Sequence, residues 1–151
     1  MIAEEHKLEK NELEVVNHLI KICNERISGF NKAAEEIDDN ELKSIFLNIS
    51  LQTEGLCTQL LDFINETKIM HQEKRLVSDI WETWMSLKSN FTHGNKVALI
   101  KTCLIGESAA IQNYKNALDK NISVNLRQVI GNQLDQLENT YKNLKAIIND
   151  L

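Results

Sequence analysis

Apolar residues recur at alternating spacings of three and four along most of the chain, which is the pattern of helices that bury one side. The first series comprises Leu13, Val16, Ile20, Cys23, Ile27, Phe30, Ala34 and Ile37. The polar run Asp38-Asp39-Asn40 then predicts a turn, and Asp38 and Glu41 have the spacing of a capping box that begins a second helix. We therefore predict two long helices joined by a short turn.

The second helix is predicted from about Asn40 to Thr67 and carries two adjacent apolar rows. One row comprises Leu42, Phe46, Ile49, Leu56, Leu60 and Phe63. The neighbouring row comprises Leu47, Leu51, Glu54, Cys57, Leu61 and Ile64. The polar stretch 68–74 after this helix predicts a loop.

A shorter amphipathic helix is predicted next, with apolar residues at Val77, Ile80, Trp84, Leu87 and Phe91 and an end at Gly94. A third long helix then spans roughly 95–120. Ser123 is expected to cap the last helix, whose heptad comprises Ile130, Leu134, Leu137, Tyr141, Leu144 and Ile148. Since residues 68–94 can cross the length of a bundle, the second and third long helices can run parallel.

Composition supports one all-α domain over residues 1–151. The chain has no proline, five glycines and 42% hydrophobic residues, so little interrupts a long helix. The net charge of −5 and the dispersed lysines argue against a nucleic-acid partner. We identify no signal peptide or membrane-spanning run, and the odd number of cysteines, three, favours a reducing cytoplasm.

One acidic residue stands out in the third long helix. Glu107 is the only charged residue in a stripe that otherwise comprises Ile100, Cys103, Ala110, Tyr114 and Ala117. A carboxylate that points into a helix bundle is unfavourable unless it is protonated, paired or bound to a metal ion. Glu107 is therefore the centre of any candidate site.

Further candidate ligands have helical spacing. Glu54 and Cys57 lie three residues apart on the second helix, as Glu138 and Tyr141 do on the last, while Cys23 adds an inward thiol. This arrangement resembles the ferritin-like family, in which Glu-x-x-His occurs on the second and last helices and a lone Glu on the first and third. Glu107 and Tyr114 are similar to the rubrerythrin-type pair of ligands seven residues apart.

A closer resemblance covers nearly the whole chain. The residues that carry it are Asn24 to Ala34 (NERISGFNKAA), the ELKSIF segment, Trp84-Met85-Ser86-Leu87-Lys88, and Gly106-Glu107 with Tyr114. They resemble uncharacterised bacterial four-helix-bundle proteins classed as a ferritin-like domain of unknown function. The resemblance implies a ferritin-like four-helix bundle, with an additional short helix in the crossover between the second and third bundle helices, and a bacterial cytoplasmic setting; it implies no activity.

The candidate chemistry leaves several functions open. The first is a non-enzymatic bundle with a degenerate metal site that acts through its surface in bacterial stress or maintenance. It is expected to be a homodimer, with Trp81, Trp84 and Phe91 at the contact between the two copies. The second is an iron- or zinc-binding protein with Glu54, Cys57, Glu107, Glu138 and Cys23 as ligands. A pocket for a small apolar ligand beside the tryptophan helix is a third. The four histidines fall on outer faces, at a terminus or in loops, so we do not expect catalysis by histidine. The sequence contains no Cys-x-x-Cys, phosphate loop or nucleophile elbow.

The degenerate-site hypothesis makes a specific prediction for Glu107. If this carboxyl group is simply buried, Glu107→Gln should be close to neutral or stabilising, because it removes a buried charge and keeps the side-chain volume. If Glu107 binds a metal ion, the same change should release the metal and lower the melting temperature.

Overall fold

The computed structural model describes residues 10–66 and 95–151, and within them every regular element is an α-helix. The four helices are α1 (Lys10–Glu36), α2 (Asn40–Glu66), α3 (Lys96–Leu118) and α4 (Val124–Asp150). Three of them have 27 residues, so each is about 40 Å long. In the described ranges no helix has both the length and the apolar character needed to cross a bilayer.

The predicted short helix at 77–91, its end at Gly94 and the proposed dimer residues Trp81, Trp84 and Phe91 lie outside the described residues. The predicted bounds of the four long helices agree with the structure to within two residues at the ends that can be compared. The all-α prediction is confirmed for the described part of the chain.

Side-chain contacts give the relative directions of the helices. Residue numbers rise on one helix as they fall on its neighbour for α1 with α2, for α1 with α3, and for α3 with α4. The contacts between α1 and α2 are Asn24 with Cys57 and Ile27 with Ser50. Those between α1 and α3 are His18 with Asn113 and Arg26 with Glu107, and those between α3 and α4 are Tyr114 with Gln133 and Leu118 with Arg127. These three pairs are antiparallel, so the consecutive helices α2 and α3 run parallel.

Hydrogen bonds at the helix ends identify the capping residues. The Ser123 hydroxyl accepts from the Leu126 N–H at 3.1 Å, as predicted, and Asn95 caps α3 in the same way. The predicted capping box at Asp38 is displaced by one residue: the Asp39 carboxylate accepts from the Leu42 N–H at 2.9 Å. Asp39 rather than Asp38 therefore caps α2.

The turn between α3 and α4 is fixed from two sides. The Arg127 guanidinium donates to the carbonyl oxygens of Leu118 at 2.6 Å and Lys120 at 3.2 Å. From α1, the Glu12 carboxylate accepts from the Ser123 N–H. These bonds satisfy carbonyl and N–H groups that helix ends leave without a helical partner.

The core is built from one face of each helix. On α3 the whole predicted stripe is buried, including Glu107. On α1 the buried face is centred on a slightly different row, which comprises Val16, Leu19, Cys23, Arg26, Phe30 and Ala33. On α2 the first predicted row is mostly buried, while Leu47, Leu51 and Leu61 of the neighbouring row are exposed. Glu54 is exposed like these three leucines, and it lies 100° around the helix from the buried Thr53.

An exposed ion pair joins the start of α2 to the start of α3, and it predicts a pH-dependent contribution to stability. The Lys96 ammonium lies 2.8 Å from the Asp39 carboxylate. The Asp39 carboxylate accepts hydrogen bonds from the Lys96 ammonium and from the Leu42 N–H, and both lower the pKa of Asp39 below its ordinary value. A carboxylate with a lowered pKa in the folded protein stabilises it above the unfolded pKa of about 3.9, and this stabilisation is lost as pH falls through the folded pKa.

Asp39→Asn should therefore be less stable than the wild type at neutral pH, although asparagine can still cap α2. The difference between the two unfolding free energies should shrink as pH falls below the lowered pKa. Urea unfolding of both proteins from about pH 7 to about pH 2 measures this difference. A difference that stays constant across the range would show that the charge of Asp39 does not stabilise the fold.

Candidate functional site

The centre of the bundle contains a buried ion pair between α1 and α3. Arg26 is 3% exposed and Glu107 is fully buried. The Arg26 Nε donates to Glu107 Oε1 at 2.9 Å, and Nη2 donates to Oε2 at 2.7 Å. Both carboxylate oxygens are thus held by the planar fork of one guanidinium, which is the strongest geometry for this type of pair.

The rest of the guanidinium is also bound by the protein. Its Nη1 donates to the Thr53 hydroxyl of α2 at 2.7 Å, and that hydroxyl donates to the Ile49 carbonyl oxygen at 2.7 Å. The Arg26 Cζ lies 5.7 Å from the centroid of the Phe30 ring, within range of a cation–π interaction. Arg26 therefore connects α1, α2 and α3 at one level of the bundle.

The electrostatic balance at this level depends on Arg26. Burial raises the pKa of Glu107, and the charge and hydrogen bonds of Arg26 oppose that increase. Because a guanidinium does not deprotonate in proteins, the buried positive charge is permanent. A buried cation needs a paired anion, and Glu107 is positioned to supply it.

A second polar layer lies beside the ion pair and joins all four helices. The Tyr114 hydroxyl donates to Gln133 Oε1 at 2.7 Å. Since that hydroxyl has a single proton, the Cys23 thiol, 3.3 Å away, is the donor in the contact between Cys23 and Tyr114. The Gln133 amide nitrogen donates to the Leu56 carbonyl oxygen at 3.2 Å and to Gln59 Oε1 at 2.8 Å. Every polar atom of the buried Gln133 side chain is thereby satisfied.

The cysteines have the environment of packing residues. All three are free thiols; Cys23 and Cys103 are buried, and Cys57 is half-buried. Burial raises the pKa of Cys23 to about 12, and burial also raises the pKa of Cys57 and Cys103. Because the thiolate is the reactive and metal-binding form, these thiols are weak nucleophiles and weak ligands at neutral pH.

The candidate ligands predicted from the sequence occupy different environments. Glu107 and Cys23 point into the core, whereas Glu54 is exposed. Glu138 is 42% exposed and lies 3.8 Å from the Lys115 ammonium, and with Tyr141 it lines an open groove between α3 and α4. Across residues 10–66 and 95–151, no three His, Cys, Asp or Glu side chains are grouped closely enough to hold a metal ion.

The residues around Glu107 do not fit a metal ion. Both oxygens of this carboxylate already accept hydrogen bonds from Arg26, and the guanidinium places a positive charge where a metal cation would have to approach. The nearest thiols are protonated because burial raises their pKa. The guanidinium thus supplies the positive charge that the carboxylate requires.

Three residues of this centre were missed by the sequence analysis, namely Arg26, Thr53 and Gln133. A signal was present in the spacing. Arg26 lies three residues after Cys23 and four before Phe30, and Gln133 lies three after Ile130 and four before Leu137. These are the positions of buried residues on a helix, so polar side chains there indicate partners in the core.

The comparison with known proteins gives a family without an assigned activity. The sequence pattern of a family described as a domain of unknown function (DUF2383) matches residues 11–120. The match includes Arg26, Thr53, Glu107 and Tyr114 and ends before α4, which supplies Gln133. No curated protein matches the chain.

Proposed function

We propose that this chain, which belongs to the DUF2383 family, is a non-enzymatic, ferritin-like bundle in which Arg26 takes the place of a metal ion. The observation that carries the proposal is the pair of hydrogen bonds from Arg26 to both oxygens of Glu107. The protein acts through its surface, as a homodimer in the bacterial cytoplasm, in stress or maintenance. Residues 1–151 form a single domain in this proposal.

The helix directions support the ferritin-like part of the proposal. Ferritin-like bundles have one long crossover connection, which makes two consecutive helices parallel. Here α2 and α3 run parallel, and the connection between them spans residues 67–95. The other connections, 37–39 and 119–123, are short.

The chemistry of the described residues supports the non-enzymatic part. The buried thiols are protonated, and Tyr114 and Gln133 are bound to each other. The His18 ring lies on the outside of α1, 2.8 Å from the Asn113 side-chain oxygen. None of these groups pairs a reactive nucleophile with a general base, which is the arrangement that covalent catalysis requires.

Metal analysis of the purified full-length protein tests this proposal. We expect far less than one iron or zinc ion per chain after incubation with either metal and removal of the excess. We also expect the same melting temperature in metal and in chelator, because a metal that binds only the folded state would raise it.

Glu14→Gln serves as the matched control for Glu107→Gln in this experiment, because Glu14 is exposed on α1 and is not one of the candidate ligands. Stoichiometric metal that is lost in Glu107→Gln but retained in Glu14→Gln would overturn the proposal. That result would favour the alternative, an iron or zinc protein that uses Glu107 with Cys23, Glu54, Cys57 and Glu138.

A further inference from the structure

Two of the three thiols lie at the same level of the contact between α1 and α2. Arg26 and Thr53 give the register of these helices, since Nη1 of Arg26 donates to the Thr53 hydroxyl at 2.7 Å. Cys23 precedes Arg26 by three residues, and Cys57 follows Thr53 by four. Because the helices are antiparallel and such spacings return to the same side of a helix, Cys23 and Cys57 oppose each other one turn further along.

A second contact gives the same level. The Cys57 thiol lies 3.9 Å from the side-chain oxygen of Asn24, which is the residue next to Cys23. One residue of an α-helix rises by about 1.5 Å, so the two cysteines differ little in height. They also belong to one apolar cluster, whereas Cys103 belongs to the other. A negative charge on Cys57 raises the pKa of Cys23, which is an effect of nearby charges.

The backbones of α1 and α2 approach each other closely beside this level. The Ser50 hydroxyl of α2 donates to the Ile27 carbonyl oxygen of α1 at 3.2 Å. A serine side chain is short, so this bond forms only where the two backbones are near. A disulfide requires Cα atoms no more than about 7 Å apart, so it forms only between helices that are packed in this way.

The two thiols differ in their access to solvent. Cys57 is half-buried, so a small oxidant can reach its sulfur, whereas Cys23 is fully buried. Burial raises the pKa of both thiols, so the reactive thiolate is scarce and oxidation is slow at neutral pH. Cys57 is therefore the first thiol to be oxidised, and Cys23 is placed to react with the product.

We propose that Cys23 and Cys57 form an oxidation site that closes into an intramolecular disulfide in the presence of hydrogen peroxide. The Cys57 thiolate attacks one peroxide oxygen, the O–O bond breaks and hydroxide leaves, so the sulfur becomes a sulfenic acid. The Cys23 thiolate then attacks that sulfur, the S–S bond forms and a second hydroxide leaves. With the two thiol protons, both hydroxides become water, so two thiols and one peroxide give one disulfide and two waters.

The disulfide changes the polar layer that joins the four helices. Cys23 no longer has the S–H proton that it donates to the Tyr114 hydroxyl. Tyr114 keeps its own hydrogen bond to Gln133. Oxidation therefore removes the link from this layer to α1 and replaces it with a covalent link between α1 and α2.

Peptide mapping of the full-length protein tests this site. The folded protein is kept in chelator at about pH 8, where more thiolate is present, treated with hydrogen peroxide and then denatured and alkylated. We expect two of the three thiols to be lost and the mass before alkylation to fall by two hydrogen atoms. Proteolysis should release linked peptides that contain Cys23 and Cys57, and dithiothreitol should restore both thiols.

Serine variants show whether the pair is specific. Cys57→Ser should form no disulfide and should leave Cys23 reduced, because the oxidant does not reach a fully buried sulfur. Cys103→Ser is the matched control, since it removes a buried thiol from the other cluster. It should form the disulfide to the same extent as the wild type. Helical circular dichroism before oxidation checks that both variants fold, and the mapping of the wild type decides the pairing in either case.

Four results would overturn the proposal. They are a disulfide that includes Cys103, a disulfide between two chains, three thiols that all remain reduced, and Cys57 oxidised to sulfinic acid with Cys23 still reduced. The last result would show that the two sulfur atoms do not meet in the folded protein.

Discussion

Glu107→Gln is expected to lower the free energy of unfolding by about 3–5 kcal/mol, the range measured when one partner of a buried ion pair is removed. The change leaves the Arg26 guanidinium buried without a negative partner, although glutamine keeps the volume and one acceptor oxygen. Urea unfolding followed by circular dichroism at neutral pH measures the loss. The near-neutral effect expected from the sequence assumed that Glu107 has no cationic partner, and Arg26 removes that assumption.

Glu138→Gln is the control, because Glu138 is paired with Lys115 at the surface. An exposed pair contributes about 0–1 kcal/mol, so this variant should be close to the wild type. Equal effects of the two substitutions would mean that the pair between Arg26 and Glu107 does not differ energetically from a surface contact.

Replacing both members of the buried pair with methionine is expected to avoid this loss altogether. In other proteins, well-packed apolar residues in place of a buried ion pair are neutral or stabilising by about 1–4 kcal/mol, because two charges no longer need to be desolvated. The double variant Arg26→Met/Glu107→Met should therefore be at least as stable as the wild type, while Arg26→Met alone should be strongly destabilised.

The double methionine variant leaves the buried Thr53 hydroxyl with a hydrogen-bond partner. This hydroxyl loses the Arg26 donor but still donates to the Ile49 carbonyl oxygen. The control is the double variant Lys115→Met/Glu138→Met on the surface, whose single and double changes should all be small. A double core variant as unstable as the single variants would show that the site cannot accept apolar packing, and the desolvation argument would fail.

The helices could be predicted because their signals are local. Ser123 was identified from its position before an apolar heptad, and the α3 stripe from its regular spacing. The length of the segment between α2 and α3 permitted a parallel direction but did not require it. The capping residue of α2 was misplaced by one position because Asp38 and Asp39 are adjacent and both can cap a helix.

The centre of the bundle could be predicted only in part, because its partners are far apart in the sequence. Glu107 was recognised as a buried carboxylate, since its neighbours on the stripe are apolar. Arg26 was not recognised, because a charged residue is normally assigned to the outside and the stripe was drawn through Ile27 instead. The pair joins residues 81 positions apart, and the choice of rotation for α1 depends on packing against both α2 and α3.

The most direct test of the central claim, that Arg26 neutralises Glu107 in place of a metal ion, is a double-mutant cycle at these two residues. The four proteins are the wild type, the two single methionine variants and the double variant, each unfolded with urea in chelator and again with added iron or zinc. We predict a coupling energy above about 2 kcal/mol that is the same in both conditions. Coupling near zero in chelator, or coupling that changes when metal is added, would contradict the account.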